Sequence, residues 1–571
     1  MRAKRIQRYS GRVWFARLML SLAMALLAAR ALQLQVINSD YLQQQGNARF
    51  LRTVSEATSR GMVLDRNDQP LAISTPVDSL WADPEVLLEN RGAVQRLAKA
   101  LDMDSGKLLA QARSHSGREF MYLKRQVSPQ YAESVIARNI PGVSAKREYR
   151  RYYPAAEAAG HIIGFSNVDD RGQEGVELMF DRILAGRPGK SRVMKDRFGR
   201  IVEKVESLGL GVSGSNVHLS IDRRLQYLAF RELKHAVAFH QARAGTAVIL
   251  NVRTGEVLAL VNEPSFNPNN RQALSSDRYR NRAVTDLYEP GSTIKPFVIA
   301  AALEANIVQP STIIDTSPGT FIIGSDTIRD ARNYGRLTVA GVIKKSSNVG
   351  AAHIALKMQK QTLWQMLNAF GFGTSTGIGI PGEIEGQLSL PKRWTTIDQA
   401  SLAYGYGLST TTIQLARAYA VLANKGVMMP LSLVRLDALP HGSRVISEST
   451  ALQLRKMMEG AVQDDGTGHE ADVPYYRIAG KTGTIHKYIN GAYSEDRYTS
   501  LFAGFAPASD PQLVMVVTID DPRRHGYYGG QVAAPVFSNV MAGALRLMNV
   551  VPDDTTNNVD HFVQYGIRRA G

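Results

Sequence analysis

Tyr288-Glu289-Pro290-Gly291-Ser292-Thr293-Ile294-Lys295-Pro296-Phe297 is the stretch around which the 571-residue chain is organised. Pro290-Gly291 is a turn pair, and Ser292 stands where a helix-capping residue is expected. The run from Phe297 to Leu303 is apolar and alanine-rich, the composition of a buried helix. Ser292 and Lys295 are three residues apart, so a helical turn sets both side chains on one face. A serine hydroxyl is a weak nucleophile near neutral pH and needs a base beside it. A lysine serves if burial and neighbouring cations keep it largely neutral. The start of a helix also offers backbone N–H groups to a developing oxyanion. Ser-x-x-Lys alone arises by chance about twice in a chain of this length, so the rest of the sequence decides.

The length calls for two or more domains, and the composition is that of a folded globular protein. Cysteine is absent, which excludes disulfides, thiolate zinc sites and a cysteine nucleophile. The eleven histidines are scattered without ligand spacing, so no metal and no other cofactor is expected. The net charge of +17 raises nucleic acid as a partner. The basic residues are spread along the chain with no aromatic-interleaved block, which favours work beside an anionic surface or polymer and against nucleic acid.

Residues 1–17 carry Arg2, Lys4, Arg5, Arg8, Arg12 and Arg17 and no acid, and read as a cytoplasmic tail. Residues 18–37 read as a transmembrane anchor, with Arg17 and Arg30 snorkelling towards opposite interfaces. A cleaved signal peptide is the alternative, with Leu27-Ala28-Ala29 as the cleavage site. Beyond the anchor, short β-like runs alternate with charged helical segments. Arg60 to Asn67 reads as a strand and turn, Arg151 to Pro154 as a corner feeding a strand at His161–Phe165, and Glu206 to Ser215 as a linker. A hairpin follows at Thr246–Asn251 and Val257–Val261. Helices are expected from Ser292 to about Phe370 and from Thr410 to Asn424. Strands return at Tyr476–Ala479, Ser500–Phe505 and Leu513–Ile519, before a last helix from Ala534 to about Met548. The fold class expected is α/β (α+β), one sheet built from the first and last strands of its region and flanked by helices.

Two clusters accompany Ser292 and Lys295 in order. Ser346-Ser347-Asn348 supplies Ser-x-Asn, 54 residues after the nucleophile, and Lys481-Thr482-Gly483-Thr484 follows. Together the three form the set found in penicillin-binding proteins and serine β-lactamases. Ser346 is placed to relay a proton between Lys295 and a leaving amine, and Asn348 to donate to a substrate amide carbonyl. Lys481 offers positive charge to a carboxylate and lowers the pKa of Lys295. Gly483 lets the strand approach substrate, Thr482 and Thr484 offer hydroxyls, and the N–H groups of Ser292 and Thr484 form an oxyanion hole.

With these motifs the chain resembles a class B penicillin-binding protein, specifically the division-specific (septal) peptidoglycan transpeptidases of Gram-negative bacteria. The resemblance extends through the Arg60–Asn67 motif, Gly172 to Glu177, Tyr404-Gly405-Tyr406-Gly407-Leu408 and Gly529 to Phe537. It implies a non-catalytic pedestal at 38–215, a transpeptidase domain at 216–552 and a flexible tail at 553–571. It places Tyr404, Tyr406, Tyr527 and Tyr528 along the cleft. It implies an inner-membrane protein with a periplasmic catalytic domain, acting on D-Ala-D-Ala stem peptides and acylated by β-lactams. It further implies a SEDS-type glycosyltransferase and other division-machinery membrane proteins as partners. The alternatives are a D,D-carboxypeptidase or β-lactamase, in which water accepts the acyl group, and a catalytically idle division scaffold. Two departures from the family pattern stand out: Ala156 where glycine is usual, and His486 where arginine is frequent.

Overall fold

The structure is a computed structural model that describes residues 10–90, 92–196, 201–271, 275–489 and 491–554. The chain forms two compact units, each assembled from separate stretches: Met1–Ser59, Pro76–Tyr149 and Gly186–Ser213 in one, Arg60–Thr75, Arg150–Ala185 and Gly214–Gly571 in the other. Arg2, Lys4, Arg5 and Arg8, and the tail beyond Asp554, lie outside the described residues.

In the first unit a helix from Ser10 to Leu32 continues into a wider turn, Gln33–Ile37. Gly11–Ile37 is long and apolar enough to cross a membrane, and none of its most apolar window is buried against protein. The apolar helix therefore starts before Leu18. The strand Leu51–Glu56 pairs with Gly189–Lys195, which pairs in turn with Ile201–Gly209. The linker expected from Glu206 is thus a strand as far as Gly209. Glu206 and Ser207 sit opposite Arg192 and Ser191, and ladder pairing overrides their turn-like composition. A separate core gathers Leu80, Leu97, Leu101, Leu108, Met121 and Val135 under the helices Ala93–Leu101, Ser105–Ser114 and Pro129–Ile136.

The second unit is built on a five-stranded antiparallel sheet. Its order is Val257–Glu263, Ala244–Asn251, Leu513–Asp520, Ala492–Ala506 and Ala479–Ile489. The first and last strands of the region do share one sheet. The inner strands read as unbroken apolar runs because both faces are covered, and successive side chains point to opposite faces. Ala247, Ile249, Met515 and Val517 join Phe230, Leu233 and Phe537 from the helices Arg223–Phe239 and Ala534–Leu547. Val248, Leu250, Val514 and Val516 instead join Phe297, Tyr419 and Ile413, from the helices Lys295–Glu304 and Thr412–Ala423.

Three expectations for local structure change. His161–Phe165 is no strand: a 3₁₀ turn at Ala156–Ala159 leads into a helical turn at Gly160–Ile163, because a short apolar run does not distinguish the two. Between Glu304 and Val339 the helical region holds two small antiparallel pairings, Ile313–Asp315 with Arg336–Thr338 and Thr320–Ile323 with Asp326–Arg329. The strand placed at Tyr476 begins only at Ala479.

The charged residues of the early motifs hold the fold. Buried Arg60 donates through Nε to Glu177 at 2.6 Å and through Nη1 to Asp181 at 2.7 Å, while Arg151 Nε donates to the other Glu177 oxygen at 2.6 Å. Glu177, fully buried between two guanidinium groups, has its charge matched. Asp65 accepts from the backbone N–H groups of Asn67, Gln69 and Arg223, closing the turn over the start of the Arg223–Phe239 helix. Ala156 has φ 45, a left-handed conformation that costs an L-residue on the order of 1–2 kcal/mol and that glycine adopts freely.

Candidate active site

Ser292 lies in a 3₁₀ turn, Gly291–Ile294, and the α-helix starts only at Lys295. The serine makes no side-chain cap, contrary to the expectation. Its carbonyl accepts the Lys295 N–H, and its Oγ lies 2.7 Å from Lys295 Nζ. The turn is pinned from several sides. Thr293 Oγ1 donates to the Pro290 carbonyl at 2.6 Å, Tyr419 O–H to the Thr293 carbonyl at 2.8 Å, and Gly291 N–H to the Gly405 carbonyl at 3.2 Å. Gly291 has φ 53, and a Cβ there would fall 2.5 Å from Ile485 Cγ1, so no other residue fits.

Lys295 is fully buried. Its Nζ lies 2.7 Å from Ser292 Oγ, 2.7 Å from the Ser346 carbonyl and 2.8 Å from Asn348 Oδ1. The Asn348 orientation is fixed by its Nδ2, which donates to the Arg329 carbonyl at 3.0 Å. The Ser346 carbonyl and Asn348 Oδ1 are obligate acceptors, whereas the serine hydroxyl can donate. A neutral lysine amine therefore spends its two N–H groups on the Ser346 and Asn348 oxygens. Its lone pair is left facing the Ser292 O–H. Electrostatics favour that form: burial first, then the Lys481 charge, pull Lys295 well below the ordinary lysine range against a weaker opposing pull from Asp330.

Ser346 and Asn348 are brought in by a break between two helices, Val339–Lys345 and Asn348–Leu356. Ser346 closes the first in a left-handed conformation, φ 59. Ser347 Oγ caps the second by accepting the Gly350 N–H at 2.8 Å. Asp330 ties the break together: it accepts from Ser347 Oγ at 2.5 Å, Asn348 N at 2.5 Å and Val349 N at 3.1 Å. No motif marks Asp330 in the sequence, and reading by motif missed it. Ser346 Oγ stands between the two lysines, 2.8 Å from Lys481 Nζ and 3.3 Å from Lys295 Nζ.

Lys481 to Thr484 lie on the edge strand Ala479–Ile489. Lys481 is fully buried, and burial pushes its ammonium down to about 7. At Gly483 a Cβ would lie 3.0 Å from Thr293 Cγ2 and 3.2 Å from the Pro290 carbonyl, so the glycine lets the strand close against the nucleophile's turn. Thr482 is nearly buried, with its hydroxyl 2.8 Å from Thr467 Oγ1, whereas Thr484 Oγ1 accepts the Gly529 N–H at 2.9 Å.

The four tyrosines sit on segments fastened to these walls. Tyr404 and Tyr406 flank Gly405, whose carbonyl accepts the Gly291 N–H, and their rings meet edge-on with centroids 5.6 Å apart. Tyr406 meets Tyr493 in turn, and the Tyr493 hydroxyl donates to Glu289 at 3.0 Å. Tyr527 stacks on Tyr498 at 4.2 Å and against Tyr528 at 4.4 Å, one residue before Gly529. Tyr493, Tyr498 and Glu289 were not singled out from sequence. His486, just past the Lys481–Thr484 motif, donates Nδ1–H to the Ser494 carbonyl at 2.7 Å and packs on Tyr498 at 4.8 Å.

This geometry, a serine, a buried lysine, a Ser-x-Asn break and a Lys-Thr-Gly strand joined by hydrogen bonds, is that of the penicillin-binding proteins. The family model described as the penicillin binding protein transpeptidase domain matches residues 245–542, and the penicillin-binding protein dimerisation domain matches residues 55–219. The chain belongs to this family, with the two-domain arrangement of its class B members. It is 43% identical over 548 residues to the peptidoglycan D,D-transpeptidase FtsI of Escherichia coli strain K12, covering 95% of this chain and 93% of that one. It is 40% identical over 547 residues to the probable peptidoglycan D,D-transpeptidase PenA of Neisseria gonorrhoeae, covering 95% and 94%. Among solved structures, the transpeptidase domain of penicillin-binding protein 3 from Burkholderia pseudomallei is 41% identical, with TM-score 0.55 over 59% of this chain and 98% of that one. A peptidoglycan synthetase from Bifidobacterium adolescentis gives TM-score 0.70 at 26% identity, over 88% of this chain and 98% of that one.

Proposed function

We propose that this protein is a serine-type peptidoglycan D,D-transpeptidase that cross-links stem peptides during septal wall synthesis. One observation carries the chemistry: with the Ser346 carbonyl and Asn348 Oδ1 taking the N–H groups of Lys295, the nearest hydroxyl left to its lone pair is Ser292, at 2.7 Å against 3.3 Å for Ser346 Oγ. Ser292 Oγ attacks the carbonyl carbon of the penultimate D-alanine as its proton passes to Lys295. The N–H groups of Ser292 and Thr484 take the oxyanion. Ser346, between the lysines, relays the proton to the departing nitrogen; the C–N bond breaks and terminal D-alanine leaves, with the acyl group held as an ester. An amine of a neighbouring stem peptide then attacks that ester, its proton returns by the same path, and Ser292 is regenerated. Lys481, with the Thr482 and Thr484 hydroxyls, receives the donor carboxylate, and Asn348 holds a substrate amide. Tyr404, Tyr406, Tyr527 and Tyr528 line the cleft. A β-lactam carries the same carboxylate and a strained amide, so it acylates the same serine.

The Gly11–Ile37 helix anchors the protein in the inner membrane, with the basic N-terminus cytoplasmic and the second unit periplasmic. Small residues along it, Ala23, Ala25, Ala28 and Ala29, suit close packing against a partner span. That partner is a SEDS-type glycosyltransferase of the division machinery, which supplies the nascent glycan. The test is product analysis: full-length protein in lipid, given nascent glycan bearing pentapeptides, should release D-alanine and form cross-linked dimers in matching amounts. Release of D-alanine with tetrapeptide monomers alone would establish the hydrolase instead.

A further inference from the structure

The segment Asp521–Tyr528 carries two of the cleft tyrosines and is held at both ends. At its far end Gly529 N–H donates to Thr484 Oγ1, and a Cβ on Gly529 would fall 2.3 Å from the Gly483 and Leu501 carbonyls, so this end is locked to the Lys481–Thr484 strand. At its near end Asp521 N–H donates to the Tyr498 carbonyl at 2.8 Å, and the next two fixed residues, Arg523 and Arg524, meet His240, the residue after the Arg223–Phe239 helix. That helix stops because Gln241 turns left-handed, φ 47, which leaves carbonyls of its last turn without helical partners. The His240 carbonyl accepts both the Arg523 N–H at 2.9 Å and the Arg524 N–H at 3.0 Å. Its ring returns the contact: Nδ1–H donates to the Arg524 carbonyl at 3.0 Å. His525 then stacks on Phe239 with centroids 4.3 Å apart.

We infer that His240 is a positioning residue for ligand binding: its three hydrogen bonds to Arg523 and Arg524 set the register of the loop that presents Tyr527 and Tyr528. His525 and Gly526 both have positive φ, 59 and 96, so the chain between clamp and tyrosines is a tight reversal with little slack. A shift at Arg524 passes directly to Tyr527, which is also fixed by its stack on Tyr498, its contacts with Tyr528 and its carbonyl accepting Ser500 Oγ at 2.5 Å. Only a group with an N–H at the Nδ1 position serves. Burial lowers the pKa of His240, with the Arg524 carbonyl opposing and His525 and His235 adding to it, so the neutral Nδ1–H tautomer is the clamping form.

The inference rests on the reading of Tyr527 and Tyr528 as cleft residues, and the experiment separates the two. Half-saturation and limiting acylation rate for benzylpenicillin are measured on the full-length protein. His240→Ala is expected to raise the half-saturation concentration about tenfold while the limiting rate stays within about twofold, the loss of one buried hydrogen bond and of the register it sets. His240→Asn, whose amide reaches the Nδ1 position, should restore binding; His240→Gln, which extends past it, should not. Phe239→Ala removes the half-exposed ring that stacks on His525 and meets the His240 ring edge-on, leaves the groups of the three hydrogen bonds in place, and should give a smaller rise of the same kind. Unchanged binding in His240→Ala, or an Asn variant as impaired as the Ala variant, overturns the clamp. Should His240→Ala melt too early to assay, Gln against Asn decides alone. Tyr528→Ala is the control: if it too binds normally, the cleft reading of that tyrosine has failed, not the clamp.

Discussion

Ser292→Ala is expected to abolish covalent labelling by a fluorescent penicillin, with no detectable adduct at any time, while melting within a few degrees of wild type. The nucleophilic oxygen is gone, and none of the other hydroxyls assigned to the site stands in its place. Ser346 Oγ bridges two lysines, Thr482 meets Thr467, and Thr484 accepts from Gly529. Ser292 makes no side-chain cap, so its removal leaves the helix start intact, held by the Pro290, Thr293 and Tyr419 bonds. A labelled band that persists, or an adduct mapped to another serine, would show that the nucleophile is elsewhere.

Lys295→Arg should lower the acylation rate by about 10³-fold, the scale of losing a positioned general base. Charge is retained, so a purely electrostatic role for Lys295 predicts little change. A guanidinium stays protonated at any working pH and has no lone pair to accept the Ser292 proton. It also places a permanent cation in a fully buried site beside Lys481, where the native arrangement favours a neutral amine. Stopped-flow acylation of the folded variant reads the effect directly. A rate within tenfold of wild type would mean that another group activates Ser292.

How much of this was legible in the sequence differs from residue to residue, for physical reasons. Ser292, Lys295, Ser346, Asn348 and Lys481 were legible because each sits in a short segment whose spacing and order carry the chemistry, and the fold brings all five within hydrogen-bond range of Lys295 or Ser346. The sheet was legible in the apolar runs Val248–Leu250 and Val514–Val517, buried on both faces. Asp330 was not, because it follows a small hairpin and acts by accepting from one hydroxyl and two backbone N–H groups 17 to 19 positions later. His240 was hidden for a similar reason: its partners, Arg523 and Arg524, are 283 and 284 residues away and two of its three bonds are made by its backbone. Gly483 was read for approach to substrate, and its close contact with the turn at Pro290 and Thr293 shows only in the fold. The misread segments, Glu206–Gly209 and His161–Phe165, are short runs where pairing or a single helical turn, not composition, sets the conformation.

The proposed mechanism makes Lys295 a neutral base, held so by burial and by Lys481. The measurement that tests it most directly is the pH dependence of the limiting acylation rate, at saturating benzylpenicillin, on the full-length protein from pH 5 to 11. A lowered pKa means the active, neutral amine is already the main form well below the ordinary lysine value of 10.5, so the rate should rise from acid pH and level off far short of it. Lys481 titrates in the free protein near 7 in the opposite functional sense: its charged form receives the ligand carboxylate, so half-saturation should weaken as pH rises through 7 while the limiting rate does not fall. A limiting rate that climbs about tenfold per pH unit through 9 and 10 would show an ordinary, charged Lys295 and contradict the account.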